Sequence, residues 1–227
     1  MEVYPNAHSP EPSPAPGDAL IRQLRTRLAG TEPGRSHVDP RFHGLSVADA
    51  ELLRGLLPAN PTPAAVLVPL VVHPTGPTLL FTERASALKK HAGQISFPGG
   101  RVEPDDAGPV GGALRESAEE IGLTAGYVEV LGYLPDHLVI TGYRVTPVVG
   151  LVAPGFTLVP DENEVASVFE VPLAFFLDPA NRTKAWRKLG GQIAAELEEF
   201  HWEGRRIWGA TASMIISLAA TLGVADV

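Results

Sequence analysis

The chain has 227 residues, 44% of them hydrophobic and 19% charged, enough apolar material for one sizeable core with an extension. Its formal net charge of −8 supplies no long-range attraction to nucleic acid or to an anionic membrane surface, so neither partner is expected. The absence of cysteine excludes a disulfide framework, a thiolate metal site and a cysteine nucleophile.

The first residues, MEVYPNAHSPEPSPAPG, lack the basic and apolar regions of a signal peptide, and their prolines predict a flexible tail over 1–17. An N-terminal helical extension is expected over 18–60. Leu20, Leu24 and Leu28 recur at helical spacing, with Asp18 as the expected N-cap and Gly30 at the stop; a second, serine-capped helix starts at Ser46, and 31–45 reads as loop. The main domain is expected over 61–227. The apolar run AAVLVPLVV at 64–72 predicts a strand buried on both faces, and TLLFTER at 78–84 its hairpin partner across HPTGP. Further strands are expected at 127–134, 144–152, 165–171 and within 182–208, with a closing helix over 210–222. Strands broken by one central and one terminal helix predict an α+β fold, a mixed sheet sandwiched between helices. The apolar run near the C-terminus is too short for a membrane span, which needs about 20 residues, and a cytoplasmic location is expected.

The central helix carries the chemistry. Pro109 suits its first turn and Gly122 its C-terminal stop. At about 100° per residue, Val110, Leu114, Ser117, Ala118 and Ile121 fall on one side. Arg115, Glu116, Glu119 and Glu120 fall on the other, so the helix is expected to bury one face and present three carboxylates opposite it. A solvated acidic face is the plain alternative. Against it, Glu116 and Glu120 form a like-charge pair at i,i+4 that costs roughly 0.2–0.5 kcal/mol. Gly111 and Gly112 each cost about 1 kcal/mol inside a helix. A divalent cation removes the repulsion, and oxygen-only donors favour Mg²⁺ or Mn²⁺ over zinc. Just upstream, Arg84, Lys89, Lys90, His91 and Arg101 concentrate the cationic and hydrogen-bonding groups a diphosphate needs, although Lys90 alone suits a solvated position. Trp208 and Phe97 read more readily as core than as base-stacking groups.

These residues resemble a known motif. GG…RESAEEIGL is similar to the Nudix box, with Gly100 matching its start and Arg115, Glu116, Glu119, Glu120, Gly122 and Leu123 its second half. The spacer is one residue longer, Asp106 stands near where the general pattern has Glu, and Ser117 replaces an aliphatic residue. The preceding LLFTERASALKKHAGQISFPGG resembles the signature of coenzyme A pyrophosphatases, in which the longer box with Asp also occurs; Lys89 stands where that pattern usually has Arg. ENEVASVFEVPL and RRIWGATA are similar to the same subfamily.

The resemblance implies metal-dependent hydrolysis of the coenzyme A diphosphate to 3′,5′-ADP and 4′-phosphopantetheine. It implies Mg²⁺ or Mn²⁺ held by Glu116 and Glu120 with Glu119, and substrate contacts from Arg84, Lys89, Gly99, Gly100 and Arg101. Arg115, at the edge of the acidic arc, is expected to orient a carboxylate. Glu119 is one candidate general base, and the loop PDENEV offers Asp161, Glu162 and Glu164, of which Glu164 is preferred. A Nudix enzyme for ADP-ribose, NADH or a nucleotide sugar is the alternative, and a non-catalytic Nudix module a further one. The partner is a small molecule; homodimerisation through the N-terminal helices stays open.

Overall fold

The computed structural model describes residues 17–34, 37–38, 46–57, 59–85, 93–189 and 193–224. Of the proline-rich tail, 1–16 lies outside the described residues, as do Lys89, Lys90 and His91.

The run at 64–72 forms the centre of strand β2 (Thr62–His73), and a two-residue turn returns it as β3 (Gly76–Arg84), with His73 paired to Gly76. Strand β8 (Tyr143–Val152) lies parallel to β2 on its other side, and β9 (Val165–Pro172) pairs antiparallel with β3. Short β4 (Ile95–Ser96) and β5 (Gly99–Arg101) attach to β3 and β2. Strands β6 (Val128–Tyr133) and β7 (Asp136–Val139) extend the sheet beyond β8, and β1 (His37–Val38) adds to β7. Among the described residues this is a nine-stranded mixed sheet, beside a three-stranded antiparallel one of β10 (Arg182–Leu189), β11 (Ile193–Trp202) and β12 (Arg205–Trp208).

Because side chains alternate across a strand, β2 feeds two cores. Ala65, Leu67 and Val71 meet Ala113 and Ile121 of α3 (Gly108–Ile121) on one face. Val68 and Leu70 meet, on the other, α1 (Asp18–Leu28), α4 (Leu173–Leu177), α5 (Gly209–Thr221) and the small sheet. The fold is thus the expected helix–sheet–helix sandwich. Phe97 is core, 2% exposed and stacked on Phe81 at 4.9 Å, whereas Trp208 is half-buried beneath the Arg206 guanidinium.

Helix α1 is built into that core: Leu24 and Leu28 are buried in it, and Gln23 Nε2 donates to the Leu222 carbonyl. Asp18 is not its N-cap. Gly17 occupies that position with φ 108°, where a β-carbon would run into Pro77, and Asp18 stands inside the first turn. A carboxylate there still meets the positive end of the helix dipole. Ser46 does cap α2 (Val47–Leu56), accepting from the Asp49 N–H at 3.1 Å. Within 31–45, expected to be loop, the described residues include the two-residue β1, which sequence periodicity does not register.

Candidate active site

The site is built where α3 crosses β2 and β5. Pro109 lies in the first turn of α3, and Gly122 closes it in a left-handed conformation, φ 73°, donating to the Ala118 and Ser117 carbonyls. Ala113, Ser117 and Ile121 face the sheet. Ser117, which replaces an aliphatic residue of the motif, satisfies its hydroxyl within the helix, on the Ala113 carbonyl at 2.7 Å.

The three glutamates, expected together on the face opposite the buried one, are not equivalent. Glu119 is 61% exposed, Glu116 is 19% exposed and Glu120 only 5%. Glu120 is covered because β5 is laid along the flank of the helix. A β-carbon on Gly100 would fall on the Glu116 carboxylate, and one on Gly99 would strike the backbone of Ala65 and Val66. Gly99 has φ 152°, and its N–H donates to Glu120 Oε2 at 3.1 Å. The paired glycines are therefore required twice, for strand pairing and for contact with carboxylates. Gly111 and Gly112 serve the other end of the helix, letting the 102–107 loop fold back on it: a β-carbon on Gly112 would meet Asp106 Oδ2 at 3.1 Å.

Arg115 organises the acidic groups. Its guanidinium makes a two-pronged pair with Asp106 (Nε–Oδ1 3.0 Å, Nη2–Oδ2 3.1 Å). It also donates to Glu116 Oε1, to Glu119 Oε2 and to the Arg101 carbonyl, each at 3.0 Å. Such fork-shaped, charge-assisted contacts are strong and directional. The hydrogen bond to Arg115, followed by one from the Glu103 N–H, holds Asp106 below the usual carboxylate range; the bond to Asp106 chiefly raises Arg115. The expected salt bridge from Arg115 to a carboxylate is present.

Burial pushes the Glu120 carboxyl up to about 7, against the Gly99 N–H and Arg84, which favour its charge; Glu116 and Glu164 add repulsion. Glu116 is also raised, by burial first, with Arg115 opposing. Arg84 Nη1 lies 3.7 Å from Glu120 Oε1, so this cation faces the acidic group. The 160–165 loop lies beside the end of α3, where the Asp161 N–H donates to the Glu120 carbonyl at 2.9 Å. Arg101 is exposed and turns its guanidinium to the Tyr143 hydroxyl, 3.1 Å away, leaving its carbonyl for Arg115. Neither Tyr143 nor the Asp106–Arg115 fork was expected from the sequence; the one available signal was Asp106 standing where the motif has Glu.

Glu120 is buried and Glu116 mostly covered, burial raises both carboxyls, and with the exposed Glu119 they are hard oxygen donors of the kind a divalent cation takes. Among the described residues no three carboxylate or imidazole groups are already gathered around one point. Arg115 engages Glu116 and Glu119, and Gly99 engages Glu120, so an ion would exchange with these contacts.

Residues 61–188 match the NUDIX domain. The chain is 43% identical over 169 residues to NudL of Shigella flexneri, described as an uncharacterized Nudix hydrolase, which covers 74% of this chain and 86% of that one. It is 42% identical over 167 residues to NudL of Escherichia coli K12, covering 73% and 85%. Among solved structures, DR0079 from Deinococcus radiodurans is similar with a TM-score of 0.46 at 12% identity, over 70% of this chain and 85% of that one. The chain belongs to the Nudix family and is a Nudix hydrolase of diphosphate substrates. Nudix hydrolases in general use divalent metal ions.

Proposed function

We propose that this Nudix hydrolase cleaves the diphosphate of coenzyme A and its derivatives, giving 3′,5′-ADP and 4′-phosphopantetheine. The observation that carries the reading is the contact of Gly99 and Gly100 with Glu120 and Glu116. The upstream segment that resembles coenzyme A pyrophosphatases ends in these glycines, so its last residues adjoin the acidic group, which supports the reading.

Glu116 and Glu120, joined by the exposed Glu119, are the side chains that would hold Mg²⁺ or Mn²⁺. The upward shift of the buried Glu120 carboxyl and the mostly covered Glu116 carboxyl supports this, since a cation would supply the charge that Arg84 and Arg115 leave uncompensated. Such an ion neutralises diphosphate oxygens and lowers the pKa of bound water. The chain's own groups do the rest. Glu164 takes the proton of the attacking water. Arg84 and Lys89 bind phosphate oxygens, and Gly99 and Gly100 admit the diphosphate to close approach beside Arg101. Arg115, anchored on Asp106, keeps Glu116 and Glu119 in place. No described helix is long and apolar enough to cross a membrane.

The test is incubation of the purified protein with coenzyme A and millimolar Mg²⁺ or Mn²⁺, with products resolved by chromatography. Appearance of 3′,5′-ADP with 4′-phosphopantetheine, abolished by chelator, is the expected result. Cleavage of ADP-ribose or a nucleotide sugar with coenzyme A left intact overturns the substrate.

A further inference from the structure

The loop that carries Glu164 is fastened to the glutamate helix through its main chain. The last carbonyls of a helix lack intrahelical donors. Here the Asp161 N–H donates to the Glu120 carbonyl and the Val159 N–H to the Ile121 carbonyl, both at 2.9 Å. Gly122 makes room for this, since a β-carbon there would lie 3.1 Å from the Val159 nitrogen.

Asp161 is the point from which the chain turns toward Glu164. Its carbonyl accepts from the Glu164 N–H at 2.9 Å and the Val165 N–H at 2.8 Å. Its carboxylate oxygen Oδ1 accepts from the Asn163 N–H at 2.9 Å and from Asn163 Nδ2 at 2.7 Å. Beyond the turn, the Glu164 carbonyl accepts from the Ala85 N–H at 2.8 Å, next to Arg84. One residue is therefore bonded to the backbone of Glu120 on one side and sets the backbone of Glu164 on the other.

We propose that Asp161 is a positioning residue that fixes Glu164 relative to Glu120. The inference rests on the reading of Glu164 as general base. The main-chain bonds of Asp161 do not involve its side chain and can still form without it, whereas the two bonds to Asn163 that hold the turn in shape are lost. Asp161 and Asn163 are exposed, so water can replace these bonds at little cost to the fold. What the turn then loses is its single geometry, and Glu164 loses its place.

The experiment is a kinetic cycle of Asp161→Ala, Asp161→Asn, Glu164→Gln and the double variant Asp161→Ala/Glu164→Gln on the diphosphate substrate. Misplacement by about 1 Å costs up to about a hundredfold, so Asp161→Ala is expected to lower kcat by roughly tenfold to a hundredfold with KM within about twofold. Asp161→Asn, which keeps an acceptor oxygen, is expected to recover most of that loss. The double variant is expected to be no slower than Glu164→Gln alone. Amide hydrogen exchange of the metal-free protein is expected to quicken at Glu164 and Val165 in Asp161→Ala while α3 stays protected. Independent, additive losses, or wild-type kcat in Asp161→Ala, overturn the positioning role. Wild-type kcat in Glu164→Gln overturns the base assignment instead, and with a slow Asp161→Ala it shows that Asp161 acts through another group.

Discussion

Gly100 and Glu116 are in such close apposition that a single methyl group on the glycine would occupy the space of the glutamate carboxylate. The backbone of Gly100 is not in the left-handed region, so alanine is conformationally allowed there and the conflict is purely one of space. Overpacking of this kind costs about 1–3 kcal/mol where neighbours can shift. Here the neighbour that must shift is a candidate metal ligand. Gly100→Ala is therefore expected to fold, with a Tm lowered by several degrees, and to lose turnover far more severely than stability. Calorimetry and steady-state kinetics on the same preparation check this. Gly126→Ala, at a position with open space around the added carbon, is the matched control and is expected to be indistinguishable from wild type.

Arg115 and Asp106 give a second prediction. Lysine keeps the charge of Arg115 but cannot form the fork to Asp106 while also reaching Glu116, Glu119 and the Arg101 carbonyl. Arg115→Lys is expected to destabilise by about 1–3 kcal/mol, the range for leaving charge-assisted partners unsatisfied, measured by urea unfolding at neutral pH. Asp106 is held below the usual carboxylate range, so its contribution is present above its unfolded value and lost as pH falls through the lowered folded one. The stability gap between wild type and Asp106→Asn is thus expected to close on acidification below about pH 4. A gap that stays constant to pH 2 contradicts the ion pair.

Much of this arrangement is legible in the sequence because it is local. Pro109, Gly122 and the apolar spacing between them define α3, and the alternating cores of β2 follow from a run with apolar residues on both faces. Glu120 shows where local reading ends. Periodicity places it with the polar residues, yet it is buried because β5 and the 158–161 loop, distant in sequence, cover that flank. The same holds for β4, β5 and β7, which have two to four residues each and take their form from neighbouring strands. Helix α1 reads as an extension, but only tertiary packing shows Leu24 and Leu28 inside the main core.

The candidate metal ligands are tested by removing charge without removing volume. Glu120→Gln retains an acceptor for the Gly99 N–H and is expected to fold. Losing a ligand to an ion that provides several kcal/mol of transition-state stabilisation is expected to lower kcat by about two orders of magnitude or more. Millimolar Mn²⁺ is expected to raise the Tm of wild type and not of Glu116→Gln or Glu120→Gln, by the mass action of an ion that binds the folded state. Equal Tm gains in all three proteins would assign the ion to other residues.

The raised Glu120 carboxyl makes the metal-free protein sensitive to pH in a direction opposite to that of Asp106. Its folded value is about 7 against 4.5 in the unfolded chain, so between these limits the folded state holds a proton that the unfolded state has released. Stability contributed by this group therefore falls as pH rises from about 4.5 to 7, by an amount on the order of 3 kcal/mol. His137 works the other way in the same window. It is buried and kept neutral down to about 4 by burial, so its contribution is lost as pH falls from 6.5 toward 4. Since His137 is common to wild type and Glu120→Gln, subtracting their stabilities isolates the glutamate. In chelator, Glu120→Gln is expected to be more stable than wild type at pH 7.5 and equal to it at pH 4.5. Saturating Mg²⁺ or Mn²⁺ favours the ionised carboxylate and is expected to reverse the order at pH 7.5. Denaturant unfolding across this range, with and without the ion, measures both; an order that the ion leaves unchanged separates Glu120 from the metal.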